Sequence, residues 1–201
     1  MLDGRARTVT LRKKFITHGT LGEIMALKST SSPIAISQSF QQGVANTFEV
    51  IPVDLQLNPL DQEVFVVTAV KIDFENLPRA TAAPGVLVQA EFEISVCKSR
   101  PTAMQGIGSS NVVAAASIDT ETAFDGAGAP LSVAILEQNA MDAPPSQMEY
   151  LDIIATDNFF IAVDGNATQA PVLGQLRVYG YRAKADAATY AALVQSEMLS
   201  S

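Results

Sequence analysis

The sequence has no tryptophan, one histidine and one cysteine among its 201 residues. A single cysteine excludes an internal disulfide, because that bond needs two thiols in the same chain. A metal site built from several histidines is excluded as well, and a Ser-His-Asp or Cys-His arrangement would depend on His18 alone. We therefore predict that the protein is not an enzyme and has no catalytic residues, no metal site and no cofactor.

Long apolar runs are also missing. No stretch approaches the roughly 18 consecutive apolar residues that indicate a membrane-spanning helix. The segment after Lys14 contains His18, Gly19 and Glu23, where a secretory signal would have a continuous apolar core. We therefore expect synthesis in the cytoplasm and no transmembrane segment.

Charge is distributed unevenly along the chain. Residues 1–28 hold six basic and two acidic residues, a net charge of +4, whereas the remainder holds seven basic and nineteen acidic residues, a net charge of −12. An acidic body repels nucleic acid and anionic membranes, and a basic arm attracts both. We interpret residues 1–45 as an N-terminal basic arm that contacts nucleic acid, lipid or neighbouring subunits. Its contacting side chains are predicted to be Arg5, Arg7, Arg12, Lys13 and Lys14.

Residues 46–182 contain eight short runs with the periodicity of strands, separated by turn residues. No helix of crossover length lies between them, so parallel β-α-β units are not favoured. The spacing favours an all-β fold, an eight-stranded jelly roll or β-sandwich. The runs are Thr47–Asn58, Glu63–Glu75, Val86–Lys98, Ser110–Ile118, Leu131–Glu137, Gln147–Ile154, Asn158–Asp164 and Val172–Arg182.

Particular residues predict how these strands pack. Val86–Lys98 alternates apolar and polar residues, which indicates one face in a core and one facing solvent or a partner. Glu63–Glu75 is apolar on both faces in its first half and on one face in its second half, so the first half is predicted to be covered on both sides. We interpret Gly180 as a position where the lack of a side chain lets a strand pack closely against its neighbours.

The tail, residues 183–201, is predicted to be a short helix with Asp186 as its N-cap. Tyr190, Val194 and Met198 recur at helical spacing on one side. A helix of this length is not stable alone, so it must dock on the body or on a neighbouring subunit. We predict that these three side chains form a subunit contact.

Acidic pairs occur along the body, for example Asp61 with Glu63 and Asp119 with Glu121. Carboxylates in loops can hold Ca²⁺ through their hard oxygen ligands. The simpler interpretation is a solvated acidic surface, and no run has the spacing of an EF-hand loop. Calcium binding by loop carboxylates is left open.

The basic arm through Lys14, the eight runs and the ending GQLRVYGYRAKADAATYAALVQSEML together resemble the single jelly-roll capsid proteins of tailless icosahedral viruses of archaea or bacteria. The resemblance implies two four-stranded sheets in Greek-key order and a subunit that self-assembles into an icosahedral shell. It also implies a homo-oligomer of capsomers, located in the virion after synthesis in the host cytoplasm. Further partners would be the viral genome or an internal membrane, reached by the arm, and other capsid proteins.

A binding module is the alternative function, either a lectin-like sandwich or a spike or tail component. Sugar-binding surfaces use aromatic platforms. Tryptophan is absent and there are four tyrosines, which weakens the lectin interpretation. A spike or tail component would also be all-β and oligomeric, so the sequence does not separate it from a shell subunit.

Overall fold

The computed structural model describes residues 27–138, 141–144, 146 and 148–200. In this part of the chain, two antiparallel sheets pack against each other and a single helix follows them, which confirms the predicted all-β sandwich with a C-terminal helix. A short 3-10 turn lies at Pro59–Asp61. The strands are β1 (Lys28–Ser29), β2 (Ile34–Gln41), β3 (Glu49–Asp54), β4 (Glu63–Phe74), β5 (Leu87–Cys97), β6 (Val112–Phe124), β7 (Pro130–Gln138), β8 (Met141–Asp142), β9 (Asp152–Ile154), β10 (Asn158–Asn166) and β11 (Leu173–Lys184), and the helix is α1 (Ala187–Leu199).

Eight of these strands pair in a nested order. β2 pairs with β11, β3 with β10, β4 with β9, and β5 with β6, all antiparallel. β11 also pairs with β4, and β10 with β5. The eight strands therefore form two sheets, one of β2, β11, β4 and β9 and one of β3, β10, β5 and β6. Pairing the first strand with the last, and so on inward, is the jelly-roll arrangement. β1 and β8 lengthen the first sheet, and β7 adds a fifth strand to the edge of the second.

The membership of the eight differs from the sequence prediction at two places. The prediction counted Leu131–Glu137 among the eight and treated Pro33–Phe40 as part of the arm. In the structure β2 is the first jelly-roll strand, because its ladder with β11 runs from Ile34 to Gln41. The interpretation of an arm separate from the body therefore applies to the residues before Leu27, which lie outside the described part.

Three aromatic rings pack against one another in the core between the sheets. Phe40 from β2 stacks on Phe92 from β5 with ring centroids 6.3 Å apart, and Phe74 from β4 meets both rings edge-on at 6.5 and 5.7 Å. Edge-on and offset ring contacts add about 0.5–1.5 kcal/mol each to the burial of apolar area. These side chains join the two sheets at one end of the sandwich.

Gly180 is a position of close packing in the last strand, β11. A register shift in the β11–β4 ladder lies between Tyr179 and Gly180. A Cβ at Gly180 would collide with Val66 O and would lie 2.7 Å from Cζ of Phe65. The predicted close packing at this glycine is confirmed, and it brings the backbone of β11 against the core ring of Phe65.

The C-terminal helix covers part of the outer face of the first sheet. Asp186 caps it as predicted, because its Oδ1 accepts hydrogen bonds from the backbone N–H groups of Ala188 at 3.0 Å and Thr189 at 2.9 Å. α1 packs over Val64 and Val66, which are fully buried, so the first half of β4 is covered on both faces as predicted. No helix among the described residues is long and apolar enough to cross a membrane.

Candidate assembly surface

The additional strand β7 is exposed along its whole length, at all nine of its residues. It pairs with β6 on one side, and no other strand of the described chain pairs with its second side. Four large apolar side chains on it are more than half exposed: Leu131 at 70%, Val133 at 55%, Ile135 at 51% and Leu136 at 59%. An open edge with apolar side chains is a template for pairing with another chain.

The register with β6 assigns the side chains of β7 to the two faces of the sheet. Val133 and Ile135 lie beside Thr122 and Thr120, which are buried on the core-facing side. Because side chains alternate along a strand, the residues between them point to the outer side. β7 therefore presents apolar side chains on both faces. The outer-side pairs are Ala134 with Glu121 and Leu136 with Asp119.

The outer face of the second sheet is acidic. Its five strands contain eight carboxylates and, within their bounds, no lysine or arginine. Like charges stand directly opposite each other at two positions, Glu91 beside Asp119 and Glu93 beside Asp164. Like-charged pairs of this kind destabilise a sheet. We call the surface formed by Glu91, Glu93, Asp119, Glu121 and Asp164 the acidic face.

The negative charges of the acidic face are not neutralised by basic side chains among the described residues. Burial raises the pKa of the Glu91 carboxyl, and the charges of Glu93, Asp119 and Asp164 raise it further. The Oδ1 atom of Asp119 is shielded from solvent and has no hydrogen-bond partner in the described part of the chain. None of these carboxylates forms an ion pair with a described lysine or arginine. The surface next to β7 therefore attracts cationic groups.

Removing one charge from this face is expected to stabilise the protein. Glu91→Gln should raise the free energy of unfolding at neutral pH by about 0.5 kcal/mol, since it relieves repulsion across the ladder. Because the folded protein holds the Glu91 proton more tightly than the unfolded chain, the native carboxyl favours folding at low pH, and this contribution is lost as pH rises through its raised pKa. The gain should therefore shrink in acid.

Urea denaturation at several pH values measures this effect. Glu149→Gln is the matched control, because Glu149 is exposed and the substitution changes the net charge by the same amount. Equal gains in the two variants would show that net charge, and not the local repulsion, sets the effect.

The predicted subunit-contact residues lie on the C-terminal helix. Tyr190 and Val194 are half-buried and pack against the protein's own cluster around Val64 and Val66. The Tyr190 hydroxyl donates a hydrogen bond to Ala155 O at 3.3 Å. These two side chains hold α1 on the body of their own chain, and a contact with a neighbouring subunit stays a prediction for them. It also stays a prediction for Met198, which is 68% exposed.

A buried carboxylate anchors the end of α1. Glu197 is 3% exposed. Its Oε1 accepts a hydrogen bond from the backbone N–H of Ala155 at 2.6 Å, and its Oε2 accepts one from the N–H of Thr156 at 3.1 Å. Burial raises the pKa of Glu197, while these hydrogen bonds and the nearby charge of Lys98 act in the opposite direction. The sequence analysis did not single out Glu197, which lies next to the predicted contact residue Met198.

The remaining predicted site residues divide by position. Arg5, Arg7, Arg12, Lys13, Lys14 and His18 lie outside the described residues. Asp119 and Glu121, considered as loop carboxylates, lie within a strand instead. Within the described ranges no group of three or more His, Cys, Asp or Glu side chains is arranged to hold a metal ion.

No protein-family model and no curated protein sequence matches the chain. Among solved structures, it is similar to VP1 of Trichodysplasia spinulosa-associated polyomavirus (TSPyV) over 80% of this chain and 98% of that one, with 8% sequence identity and a TM-score of 0.28. A similarity at this level decides nothing about function. The jelly-roll assignment rests on the nested strand pairing, and an archaeal or bacterial virus as the source stays a prediction.

Proposed function

We propose that this protein is a structural subunit of a viral shell, a single jelly-roll capsid protein that self-assembles through its sheet edge. The observation that carries the proposal is β7. It lies outside the eight jelly-roll strands, it is exposed at every residue, and it has one paired side within the described chain. Exposed apolar edges of this kind are blunted in proteins that remain monomeric.

The length of the edge supports a role in association. β7 spans nine residues, and its only charged side chain is Glu137. Short strands, inward-pointing charges, lysine and proline are the usual ways to protect an edge, and β7 has one such feature, Pro130 at its start. Shells are held by many such modest contacts repeated through symmetry, so the β7 edge would be one of several contacts that each subunit makes.

The basic arm adds further partners under this proposal. Arg5, Arg7, Arg12, Lys13 and Lys14 supply positive charge for a genome, an internal membrane or neighbouring subunits. Five phosphate contacts would give a slope of about −4.5 for log affinity against log salt on duplex DNA. The acidic body would then stay away from nucleic acid and lipid while the arm engages them. The mature location would be the virion.

The assembly state of the full chain tests the proposal. Size exclusion with light scattering, and negative-stain imaging of the same fractions, should show closed shells or uniform capsomers at concentrations of about 1–100 μM. The matched pair of variants is Ile135→Lys and Leu60→Lys. Both side chains are exposed, at 51% and 91%, but only the first lies on β7. Ile135→Lys should abolish assembly, and Leu60→Lys should leave it intact.

Two outcomes would contradict the proposal. A monomer at all concentrations and salts would favour the binding module over the shell subunit. Assembly that survives Ile135→Lys would remove β7 from the interface.

A further inference from the structure

We propose that residues 8–15 of a neighbouring copy dock along the open edge of β7 as an additional strand of the second sheet. The inference rests on the proposed function and names the partner of its assembly edge. Three partners are predicted for the arm: nucleic acid, lipid and neighbouring subunits. Residues 8–15 would contact the neighbouring subunit.

Charge complementarity points to this occupant. The five strands of the second sheet contain eight carboxylates and, within their bounds, no basic residue. Residues 5–14 contain five basic residues and no acidic one. A strand added beside β7 lies two strand spacings, about 10 Å, from the carboxylates of β6. The side chain of Ala134, which lies beside Glu121, is small, so it leaves room for a long basic side chain of the added strand to extend diagonally towards Glu121.

The alternation of the segment fits the two faces of β7. In an extended chain, Val9, Leu11, Lys13 and Phe15 share one side, which is apolar except at Lys13, and the even-numbered residues share the other. The apolar side suits the core-facing side of β7, where Val133 and Ile135 are exposed beyond the core. The residues on the other side, which would join the acidic face, are Thr8, Thr10, Arg12 and Lys14.

One parallel register matches the two segments residue by residue. When Leu11 is placed beside Ile135, Lys13 falls beside Glu137. Lys13 is the one charged residue on the apolar side of the segment, and Glu137 is the one charged residue of β7. Opposite charges at adjacent positions on neighbouring strands attract each other. In this register Arg12 lies beside Leu136, the outer-side neighbour of Asp119. The remaining pairs are Thr8 with Ser132, Val9 with Val133, Thr10 with Ala134 and Lys14 with Gln138.

The path of the chain favours a neighbouring copy over the same molecule. The described chain begins at Leu27, beside β1, which pairs with β11 at one margin of the first sheet. β7 is followed closely by β8, which pairs with β4 at the opposite margin. Residues 16–26 extend at most about 40 Å and would have to pass around the sandwich to reach β7 of their own chain. A segment from a neighbouring copy approaches the open edge directly.

Disulfide trapping between two full-length variants tests the docking. Leu11→Cys and Ile135→Cys proteins are mixed in equal amounts under mild oxidation, and the covalent dimer is measured on a non-reducing gel. The native Cys97 is fully buried and does not compete. Docking raises the effective concentration of the two thiols, so the mixture should give about tenfold more dimer than the control mixture of Leu11→Cys with Leu60→Cys. Leu60 is 91% exposed and lies away from β7.

A charge exchange provides a second measurement that needs no cysteine. Lys13→Glu should lower self-association in sedimentation experiments, and the double variant Lys13→Glu with Glu137→Lys should restore it. Equal dimer in the two mixtures, or none in either, overturns the docking. A disulfide that forms only within a molecule carrying both Leu11→Cys and Ile135→Cys overturns the neighbouring copy as the source.

Trapping requires only two copies, so it separates this inference from the proposed function. Trapped dimers without closed shells would count against the shell alone. Shells that form without the trapped pair, and that tolerate Lys13→Glu, would count against this docking alone.

Discussion

Adding one methyl group at Gly180 is expected to destabilise the fold by about 3 kcal/mol or more. The new Cβ would collide with Val66 O and would lie 2.7 and 2.8 Å from ring atoms of Phe65. Val66 O belongs to the adjacent strand of the same sheet, and Phe65 is fully buried, so neither can move without disturbing the core. Urea denaturation of Gly180→Ala measures the loss, and soluble yield replaces it if the variant does not fold.

Gly106→Ala is the matched control. A Cβ at Gly106 has no atom within 4 Å, and neither glycine has a positive φ, so the two variants differ in steric contact and not in backbone strain. Gly106→Ala should be neutral or stabilising by about 0.5 kcal/mol, because alanine restricts the unfolded chain. Similar stabilities for the two variants would show that β11 and β4 are not packed as closely as described.

The second large effect is expected at Glu197. Glu197→Ala should lower the free energy of unfolding by about 2–4 kcal/mol, because it leaves the buried N–H of Ala155 and the N–H of Thr156 without their acceptor. α1 should then detach from the body and expose the apolar cluster over β4. Binding of a hydrophobic dye, together with urea denaturation, reports both changes.

Two comparisons make this prediction specific. Gln195→Ala, on the exposed side of the same helix, should change stability by less than about 0.5 kcal/mol. Glu197→Gln keeps one acceptor and does not titrate. Since the pKa of Glu197 is raised in the folded protein, the native carboxyl contributes most to stability below its unfolded pKa, and this contribution falls as pH rises through the raised value. The advantage of the native residue over glutamine should therefore be greatest in acid.

Local patterns predicted the packing of individual strands well. The alternation in Val86–Lys98 places Phe92 in a core and Glu91 on the opposite face of the strand, and both assignments agree with the structure. The change from two-sided to one-sided burial along β4 was also visible in the sequence, since it depends only on which side chains are apolar. These predictions succeeded because strand periodicity assigns side chains to faces without knowledge of the neighbouring strands.

Pairing partners were not predictable in the same way. Residues 131–137 are apolar on both faces and read as an ordinary sandwich strand, yet the structure leaves them exposed at the sheet edge. β2 carries serine and glutamine at four of its eight positions and is buried only at Phe40, yet it is one of the eight jelly-roll strands, because β11 reaches it from the far end of the chain. Apolar content alone cannot distinguish a strand covered by its own chain from one that presents the same surface to a partner.

The helix shows a related limit. Its existence and its Asp186 cap followed from the sequence, but the burial of Glu197 did not. Hydrophobic spacing cannot anticipate a buried carboxylate whose acceptors are used by backbone N–H groups of a distant loop. The acidic face was likewise visible only once the ladders placed Glu93 beside Asp164 and Glu91 beside Asp119.

The nested strand order also governs when each part of the molecule can form during translation. β5, β6 and β7 are consecutive and can pair as a local meander while later residues are still inside the ribosome. β2 must wait for β11, since Ile34 pairs with Gly180, and topologies dominated by such distant pairs fold in milliseconds to seconds. The edge at β7 therefore exists before the sandwich that carries it is complete. We expect the soluble yield of the protein to depend on the spacing of ribosomes along the messenger RNA. The exposed β7 edge of one nascent chain can pair with the β7 edge of the chain on the next ribosome.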